Sequence, residues 1–225
     1  MLLLAIDTAG PACAVAIVRD SAILAQATEP IGRGHAERLM PMIASALGEA
    51  GVSFGDLDRI AVTTGPGSFT GVRVGIAAAR GLALALGIPA VGIGSLDALA
   101  FPVTQSRSDG TVVATLDAKR GELYALVKDL GSKEALIPAT AVSAEALAAM
   151  LEPAREPLIL IGAGAPIVAA ALQGRTVEIA GAPEYLDITD VARLGLALGD
   201  ASPPTPLYAR AADAKPQVEK AIARQ

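Results

Sequence analysis

Short apolar runs and segments of helical periodicity alternate along the first half of the chain. The first run, residues 2–6, is apolar without interruption, which is typical of a strand buried on both faces of a sheet. Two further strands follow around a tight turn at 19–21, and helices then alternate with strands. The predicted elements are strands at 2–6, 13–18, 23–27, 59–64 and 90–93, and helices at 35–50, 72–86 and 95–102. This pattern predicts the order βββαβαβα.

Glycine and proline mark the turns and helix ends of this half. Gly51 follows the first helix, where a left-handed residue commonly ends a helix. Pro41 lies inside the same helix and predicts a kink or the local loss of one backbone hydrogen bond. The Pro-Gly order within 65–68 predicts a type II turn before the helix at 72–86.

The second half follows a polar, turn-prone patch at 104–110 and repeats the pattern on a smaller scale. Its predicted elements are strands at 112–116, 123–128, 158–161 and 177–179, and helices at 144–151, 167–172 and 191–198. Each half opens with antiparallel strands and continues with alternating helices and strands. The pattern therefore predicts an α/β protein of two lobes, each a mixed sheet with helices.

The same signals predict how the chain is divided. The predicted units are an N-terminal lobe at 1–103, a smaller C-terminal lobe at 104–200 and a tail at 201–225. Three prolines within 203–206 predict an extended tail, which either docks back on the protein or is disordered. A short amphipathic stretch at 218–224 is expected to fold only when docked.

Composition and charge narrow the class of protein. Hydrophobic residues make up 52% of the chain, enough for a buried core, and the net charge is −5. A stand-alone nucleic-acid binder usually presents a basic face, but the densest basic group here is the pair Lys119 and Arg120.

The single cysteine excludes an internal disulfide, and the N-terminus lacks a basic signal-peptide region. Glycine and proline at 162–166 interrupt the uncharged stretch 157–174, which argues against a membrane span. We expect a soluble cytoplasmic protein.

A glycine-rich stretch at 63–75 places a strand, a turn and a helix N-terminus in direct succession. Such a junction can aim unpaired amide groups at an anion or at an acceptor on a partner. The stretch has no Walker lysine, and Thr70 stands where the last glycine of a Rossmann fingerprint would be. The other interpretation is a helix-capping turn with Ser68 or Thr70 as the N-cap, which is the commoner arrangement.

The helix after this turn carries two features of its own. Arg73 lies in its first turn, where the helix dipole disfavours a cation, so it either contacts a carboxylate on a partner or is a solvated arginine. Small residues occur almost all the way round the helix, and only one stripe can face the protein's own sheet. We therefore expect one face to point inward and another to meet a partner.

Four segments in order, together with the closing tail, carry a family resemblance. They are LAIDTA at 4–9, GHAERLMPM at 34–42, the glycine stretch, TLDAKRGELY at 115–124, and LYAR at 207–210. This chain resembles the TsaB (YeaZ) family over nearly its whole length, most strongly over 2–99. The glycine motif at 65–75 is specific to that family and its paralogue TsaD.

The resemblance implies a fold, a function and partners. The implied fold is the two-lobed actin/hexokinase/Hsp70-like (ASKHA) fold. The implied function is that of a non-catalytic subunit that pairs with TsaD, is joined by the ATPase TsaE, and supports threonylcarbamoyl transfer to a tRNA adenosine next to the anticodon. It would form a homodimer as the alternative assembly and reach tRNA only through the complex, with no membrane role. The implied interface residues, on the first-lobe helices, are His35, Arg38, Leu39, Met42, Arg73, Ala77 and Arg80.

The metal site of TsaD-like proteins has no counterpart in this sequence. Their H-x-x-x-H pair falls on Ser95 and Leu99 here, and neither residue supplies a nitrogen ligand. His35 is the only histidine of the chain and is interpreted as a structural or interface residue. No metal and no catalytic residue is expected, which also argues against a peptidase.

Nucleotide binding is the remaining hypothesis for chemistry. In actin-like proteins, acidic turns of both lobes embrace the phosphates, and a glycine turn meets the adenosine. The matching candidates are Asp7, Thr8, Gly67, Ser68, Thr70, Asp117 and Gly162. We expect no resident cofactor and only weak ATP or ADP binding, mainly in the assembled complex. The alternative function is an ATP-dependent phosphotransferase that uses Asp7 and Asp117, whereas Asp7 could also simply cap a turn.

Overall fold

The computed structural model describes residues 1–199 and 203–209. Its first half contains β1 (Leu2–Asp7), β2 (Ala12–Arg19), β3 (Ala22–Pro30), α1 (His35–Ala50), a short 3₁₀ turn (Phe54–Asp56), β4 (Arg59–Gly65), α2 (Phe69–Leu86), β5 (Ala90–Gly94) and α3 (Ser95–Ser106). The predicted order βββαβαβα is confirmed. The first turn of α2 begins three residues earlier than predicted, because Ser68 caps it.

The second half contains one strand that the sequence pattern did not reveal. Its elements are β6 (Thr111–Lys119), β7 (Glu122–Asp129), β8 (Ala135–Val142), α4 (Ala144–Met150), β9 (Leu158–Ile161), α5 (Ala165–Ala171), β10 (Val177–Gly181) and α6 (Ile188–Ala197). The missed strand is β8, which contains Pro138. It lies at the edge of its sheet, where a missing backbone N–H is tolerated.

The two sheets repeat one arrangement of strands. The first has the order β3-β2-β1-β4-β5 and the second β10-β9-β6-β7-β8. In the first sheet β1 pairs antiparallel with β2 and parallel with β4. In the second sheet β6 pairs antiparallel with β7 and parallel with β9. The expectation of two lobes, each with a mixed sheet, is confirmed.

Helices cover both faces of each sheet. α1 and α2 enclose one hydrophobic core with the outer face of the first sheet, and α4 and α5 enclose another with the second. A third core lies between the sheets and contains residues of α3 and α6. Although α6 comes after the second sheet in sequence, it packs on β1 and β4 of the first sheet. The division at residues 103 and 200 stays a prediction.

The described part of the tail is extended and docked. Pro204 is buried, and the Leu207 backbone N–H donates a 2.8 Å hydrogen bond to the Thr64 carbonyl. Of the two alternatives for the tail, docking therefore holds for residues 203–209. The stretch at 218–224, expected to fold only when docked, lies outside the described residues.

Candidate functional site

The turn between β4 and α2 is a capped helix start. The Ser68 hydroxyl accepts a 3.3 Å hydrogen bond from the Gly71 N–H, and the Ser68 N–H donates 2.7 Å to the Ala9 carbonyl. The positive φ of this turn, 98°, falls on Gly65 rather than on Gly67. The predicted type II turn is therefore wrong, because that turn needs a positive φ at Gly67. Of the two cap candidates, Ser68 fills the role.

The glycines of this stretch allow the helix to approach the first strand. A Cβ atom added to Gly71 would clash with the Thr8 carbonyl oxygen, and one added to Gly75 would lie 2.5 Å from Thr8 Oγ1. The Thr8 hydroxyl in turn donates a 2.7 Å hydrogen bond to the Gly71 carbonyl. Gly67 is similarly confined by Ala9. The motif thus has a packing role that is independent of any anion.

Asp7 is enclosed by the protein. Its Oδ1 accepts a 2.6 Å hydrogen bond from the Thr63 hydroxyl and a 2.9 Å hydrogen bond from the Ala9 N–H. Burial raises the pKa of Asp7, against the opposing effect of these hydrogen bonds. The carboxyl group tethers the β1–β2 turn to β4, so it is badly placed to hold the metal of a nucleotide.

A cleft of about 530 Å³ separates the β1–β2 and β4–α2 turns from the β6–β7 turn. Of the predicted nucleotide residues, Gly67, Ser68 and Asp117 line it. Ser95, at the first position of α3, also lines it, and the Ser95 hydroxyl has no hydrogen-bond partner among the described residues. This cleft lies where the nucleotide site was predicted, but only three of the seven predicted nucleotide residues line it.

Asp117 is already engaged within the chain, and Gly162 and Thr70 do not line the cleft. Asp117 forms a 2.7 Å ion pair with Lys119, and the hydrogen bond from the Lys119 side chain lowers the pKa of Asp117. Gly162 has a φ of 104° and abuts the Thr115 carbonyl, so it serves a turn behind the cleft. Thr70 is exposed in the first turn of α2. Of these three residues, only Asp117 lines the cleft, and nucleotide binding stays a prediction.

The metal site of TsaD-like proteins does not fit this chain. Ser95 and Leu99 are both buried, and neither offers a nitrogen ligand. No group of three or more His, Cys, Asp or Glu side chains within residues 1–199 and 203–209 could hold a metal ion. His35 is buried at the start of α1, and its Nε2 has no hydrogen-bond partner in the described part of the chain.

The predicted interface residues divide by burial. Leu39 and Met42 are buried in the core under α1, which argues against direct contact with a partner. Arg38 is exposed and forms a bidentate ion pair with Glu29 through hydrogen bonds of 2.6 and 2.7 Å. Arg73, Ala77 and Arg80 are exposed on α2. The interface role stays a prediction, and these four side chains are exposed.

The exposed side of α2 forms an apolar stripe with cationic members. We define the outer face of α2 as Phe69, Arg73, Ala77, Arg80, Gly81 and Leu84. Leu84 is 87% exposed and Phe69 57% exposed. α2 contains no acidic residue. Large apolar side chains presented together on one helix face are typical of a protein contact.

Two aromatic residues fix Arg73 on this face. The Arg73 guanidinium carbon lies 3.6 Å from the centroid of the Phe69 ring and 5.9 Å from that of Tyr208. Arg73 Nε donates a 3.1 Å hydrogen bond to the Tyr208 hydroxyl. The solvated arginine, one of the two alternatives from sequence, does not describe this arrangement, and contact with a carboxylate on a partner stays a prediction. Phe69 and Tyr208 were not among the predicted site residues. The sequence signals that pointed to the tail carrying Tyr208 were its prolines and the LYAR segment.

α2 is also long and apolar enough to cross a membrane by length and composition, and 28% of its 18 residues are buried. It contributes Gly71, Val72, Gly75, Ile76 and Ala79 to the face that packs on the first sheet. Such a test is passed equally by the core helices of soluble proteins. The close approach to Thr8 described above shows that one face of α2 packs on the first sheet.

Comparisons with known proteins identify relatives of the chain. A family model described as TsaD, tRNA N6-adenosine threonylcarbamoyltransferase, matches residues 23–157. The tRNA threonylcarbamoyladenosine biosynthesis protein TsaB of Escherichia coli is 41% identical over 124 residues, which are 55% of this chain and 53% of that protein. The protein of the same name from Bacillus subtilis is 32% identical over 164 residues, 72% of this chain and 71% of that protein. The chain thus spans about half the length of the Escherichia coli relative.

Solved structures agree with this relationship. A Pseudomonas aeruginosa protein described as similar to peptidase YEAZ is 31% identical, with a TM-score of 0.78 over 93% of this chain and 99% of that chain. YeaZ from the same organism is 28% identical, with a TM-score of 0.67. The activator of 2-hydroxyisocaproyl-CoA dehydratase from Clostridium difficile, at 11% identity and a TM-score of 0.52, shares the fold alone. The fold is the two-lobed ASKHA fold.

Proposed function

Because this chain belongs to the TsaB family of tRNA threonylcarbamoyladenosine biosynthesis proteins, we propose that it serves tRNA modification as a non-catalytic subunit of a TsaD-type transferase. It binds the transferase, is joined by a TsaE-type ATPase, and reaches tRNA only through the assembled complex. Its site of action is the cytoplasm. A homodimer is the alternative assembly of the free chain.

The observation that carries this proposal is the outer face of α2. The face exposes Phe69 and Leu84 around small residues, so a second helix can approach closely at Ala77 and Gly81. A Cβ atom added to Gly81 would meet nothing within 4 Å, so no contact within residues 1–199 and 203–209 explains this glycine. An exposed apolar face with room for a neighbouring backbone favours a protein partner.

The state of the interlobe cleft supports a non-catalytic role. Asp7 is buried and hydrogen-bonded away from the cleft, and Asp117 is paired with Lys119. Ser95 and Leu99 cannot replace the metal ligands of a transferase. The groups that would activate a phosphate or hold a metal are therefore missing from their expected positions or engaged in other contacts.

The test is a reconstituted threonylcarbamoylation assay on unmodified tRNA with TsaD, TsaE and the adenylate-forming enzyme. We expect modified adenosine only when this chain is added, and co-elution of the chain with TsaD in size-exclusion chromatography with light scattering. Equal product without the chain, together with separate elution, would refute the proposal.

The cleft lined by Ser68 and Asp117 favours a second candidate, an actin-fold ATP-dependent phosphotransferase. On our proposal the isolated chain turns over no ATP, and any ATP or ADP binds weakly and mainly in the assembled complex. ATP turnover by the isolated chain that is lost in Asp117→Asn would establish the second candidate instead. Asp117 is the better residue to change because it is exposed, whereas replacing Asp7 would also disturb the fold.

A further inference from the structure

The tail segment 203–209 is tied to both sheets. The Leu207 N–H donates 2.8 Å to the Thr64 carbonyl near the end of β4. The Ala141 N–H in β8 donates 3.2 Å to the Ala209 carbonyl. One short extended segment therefore joins the first sheet to the edge strand of the second.

Two glycines make room for this segment. A Cβ atom added to Gly65 would lie 2.9 Å from the Leu207 carbonyl oxygen, and one added to Gly92 would lie 3.1 Å from Pro204 Cα. Pro204 is buried although its neighbours in sequence are not. The docking of the tail is thus accommodated by positions in β4 and β5, far from it in sequence.

Between its two backbone anchors, the segment places Tyr208 against the outer face of α2. The Tyr208 and Phe69 rings lie 5.6 Å apart at an angle of 33°, and the Tyr208 hydroxyl accepts the hydrogen bond from Arg73 Nε. A flexible arginine side chain is held in one orientation by these contacts. The guanidinium retains donors that can form a bidentate pair with a carboxylate.

We propose that residues 203–209 form a strap in which Tyr208 positions Arg73 to receive a carboxylate of the partner protein on the outer face of α2. The proposal rests on the proposed function for the identity of that partner, a TsaD-type paralogue. We assign the carboxylate to the partner because α2 contains no acidic residue and, within residues 1–199 and 203–209, Arg73 forms a hydrogen bond with Tyr208 but no ion pair.

Charge favours the paralogue over a second copy of this chain as the occupant. In a two-fold contact of α2 with itself, centred on Ala77, Arg73 of one copy would approach Arg80 of the other. Like charges at such a distance oppose association. A partner helix with acidic side chains meets both arginines favourably.

The experiment compares the full-length chain with Tyr208→Ala and Tyr208→Phe in binding to the paralogue by titration calorimetry. We expect Tyr208→Ala to weaken binding about tenfold and Tyr208→Phe to weaken it less, because the ring is kept and the hydroxyl is lost. Raising the salt from about 50 to 300 mM should weaken wild-type binding more than Tyr208→Ala binding. Ile167→Ala, on exposed α5 of the second lobe, is the matched control and should bind like wild type.

The outcomes separate the strap from the proposed function. If wild type binds the paralogue and Tyr208→Ala binds equally well, the positioning role is overturned while the proposed function stands.

A second readout does not need the partner. NMR measures how fast the Arg73 Nε–H and the backbone amides of Leu207 and Ala141 exchange hydrogen with solvent. Slow exchange in wild type and fast exchange in Tyr208→Ala support the strap, and fast exchange in wild type overturns it. If wild type does not bind, the proposed function fails and the positioning of Arg73 for that partner fails with it.

Discussion

The inner and outer faces of α2 are built from similar small residues but have different surroundings. On the inner face, Gly71 and Gly75 lie so close to Thr8 that no side chain fits. On the outer face, Gly81 and Ala77 have open space around them. The small residues of the inner face are therefore explained by the fold, and those of the outer face are not.

This difference separates stability from function along a single helix. Substitutions on the inner face should damage the fold and, only through it, the activity. Substitutions on the outer face should leave the fold intact and act on partner binding. Substitutions on each face test whether the two faces differ in this way.

The largest effect is expected from the pair Gly71→Ala and Gly81→Ala. Gly71→Ala should lower the free energy of unfolding by about 2–4 kcal/mol, because the new Cβ atom is forced against the Thr8 carbonyl. Gly81→Ala should raise it by up to about 1 kcal/mol, because alanine is the better helix former in open space. Urea denaturation of both variants measures this, and equal stabilities would remove the distinction between the faces.

The next effect concerns binding. Ala77→Glu should change the free energy of unfolding by less than about 0.5 kcal/mol, since the residue is exposed. It should weaken binding to the paralogue at least about tenfold, because a large, acidic side chain obstructs the closest helix approach. Ala149→Glu, on exposed α4, is the matched control. Normal affinity of Ala77→Glu would mean that the partner lies elsewhere.

The smallest effect concerns Asp7, in the strand beneath the inner face. Burial raises its pKa, so the unfolded chain loses this proton at lower pH than the folded chain does. Between the two pKa values the folded state holds more protons, and its stability falls as the pH rises. Asp7→Asn keeps an oxygen for the Thr63 hydroxyl and the Ala9 N–H and should remove this dependence. The variant should therefore gain stability relative to wild type as the pH is raised above the ordinary pKa of an aspartate, which urea denaturation at a series of pH values measures. If the stability of the variant minus that of wild type stays constant or falls as the pH rises, the prediction is contradicted.

The sequence reveals elements whose signals are local. The order of the first half follows from apolar runs, a helix cap at Ser68 and glycine stops, and each of these acts within a few residues. β8 escaped because Pro138 disfavours a strand unless the strand lies at an edge, and edge position depends on the whole sheet. The packing of α6 on the first sheet likewise depends on contacts distant in sequence.

The candidate site divides in the same way. Arg73 was singled out because a cation in the first turn of a helix is visible in the sequence, whereas Ala77 was named only through the family resemblance; the interface role of both stays a prediction. Tyr208 was missed as a site residue because it meets Arg73 across 135 positions of the chain. The nucleotide candidates came from separate turns that were grouped by resemblance to actin-like proteins, but the fold uses one of them, Thr8, to join the first strand to α2 at Gly71.

The position of α6 has a consequence for synthesis on the ribosome. Gly195 abuts Ala61 and Leu3, so α6 closes the inner face of the first sheet. Gly94, the last residue of β5, and Ile188, the first of α6, are 94 positions apart. At translation rates of about 5–20 residues per second, roughly 5–20 s would pass between the synthesis of the end of β5 and that of the start of α6. During that interval its apolar inner face is a binding surface for chaperones that act on emerging chains.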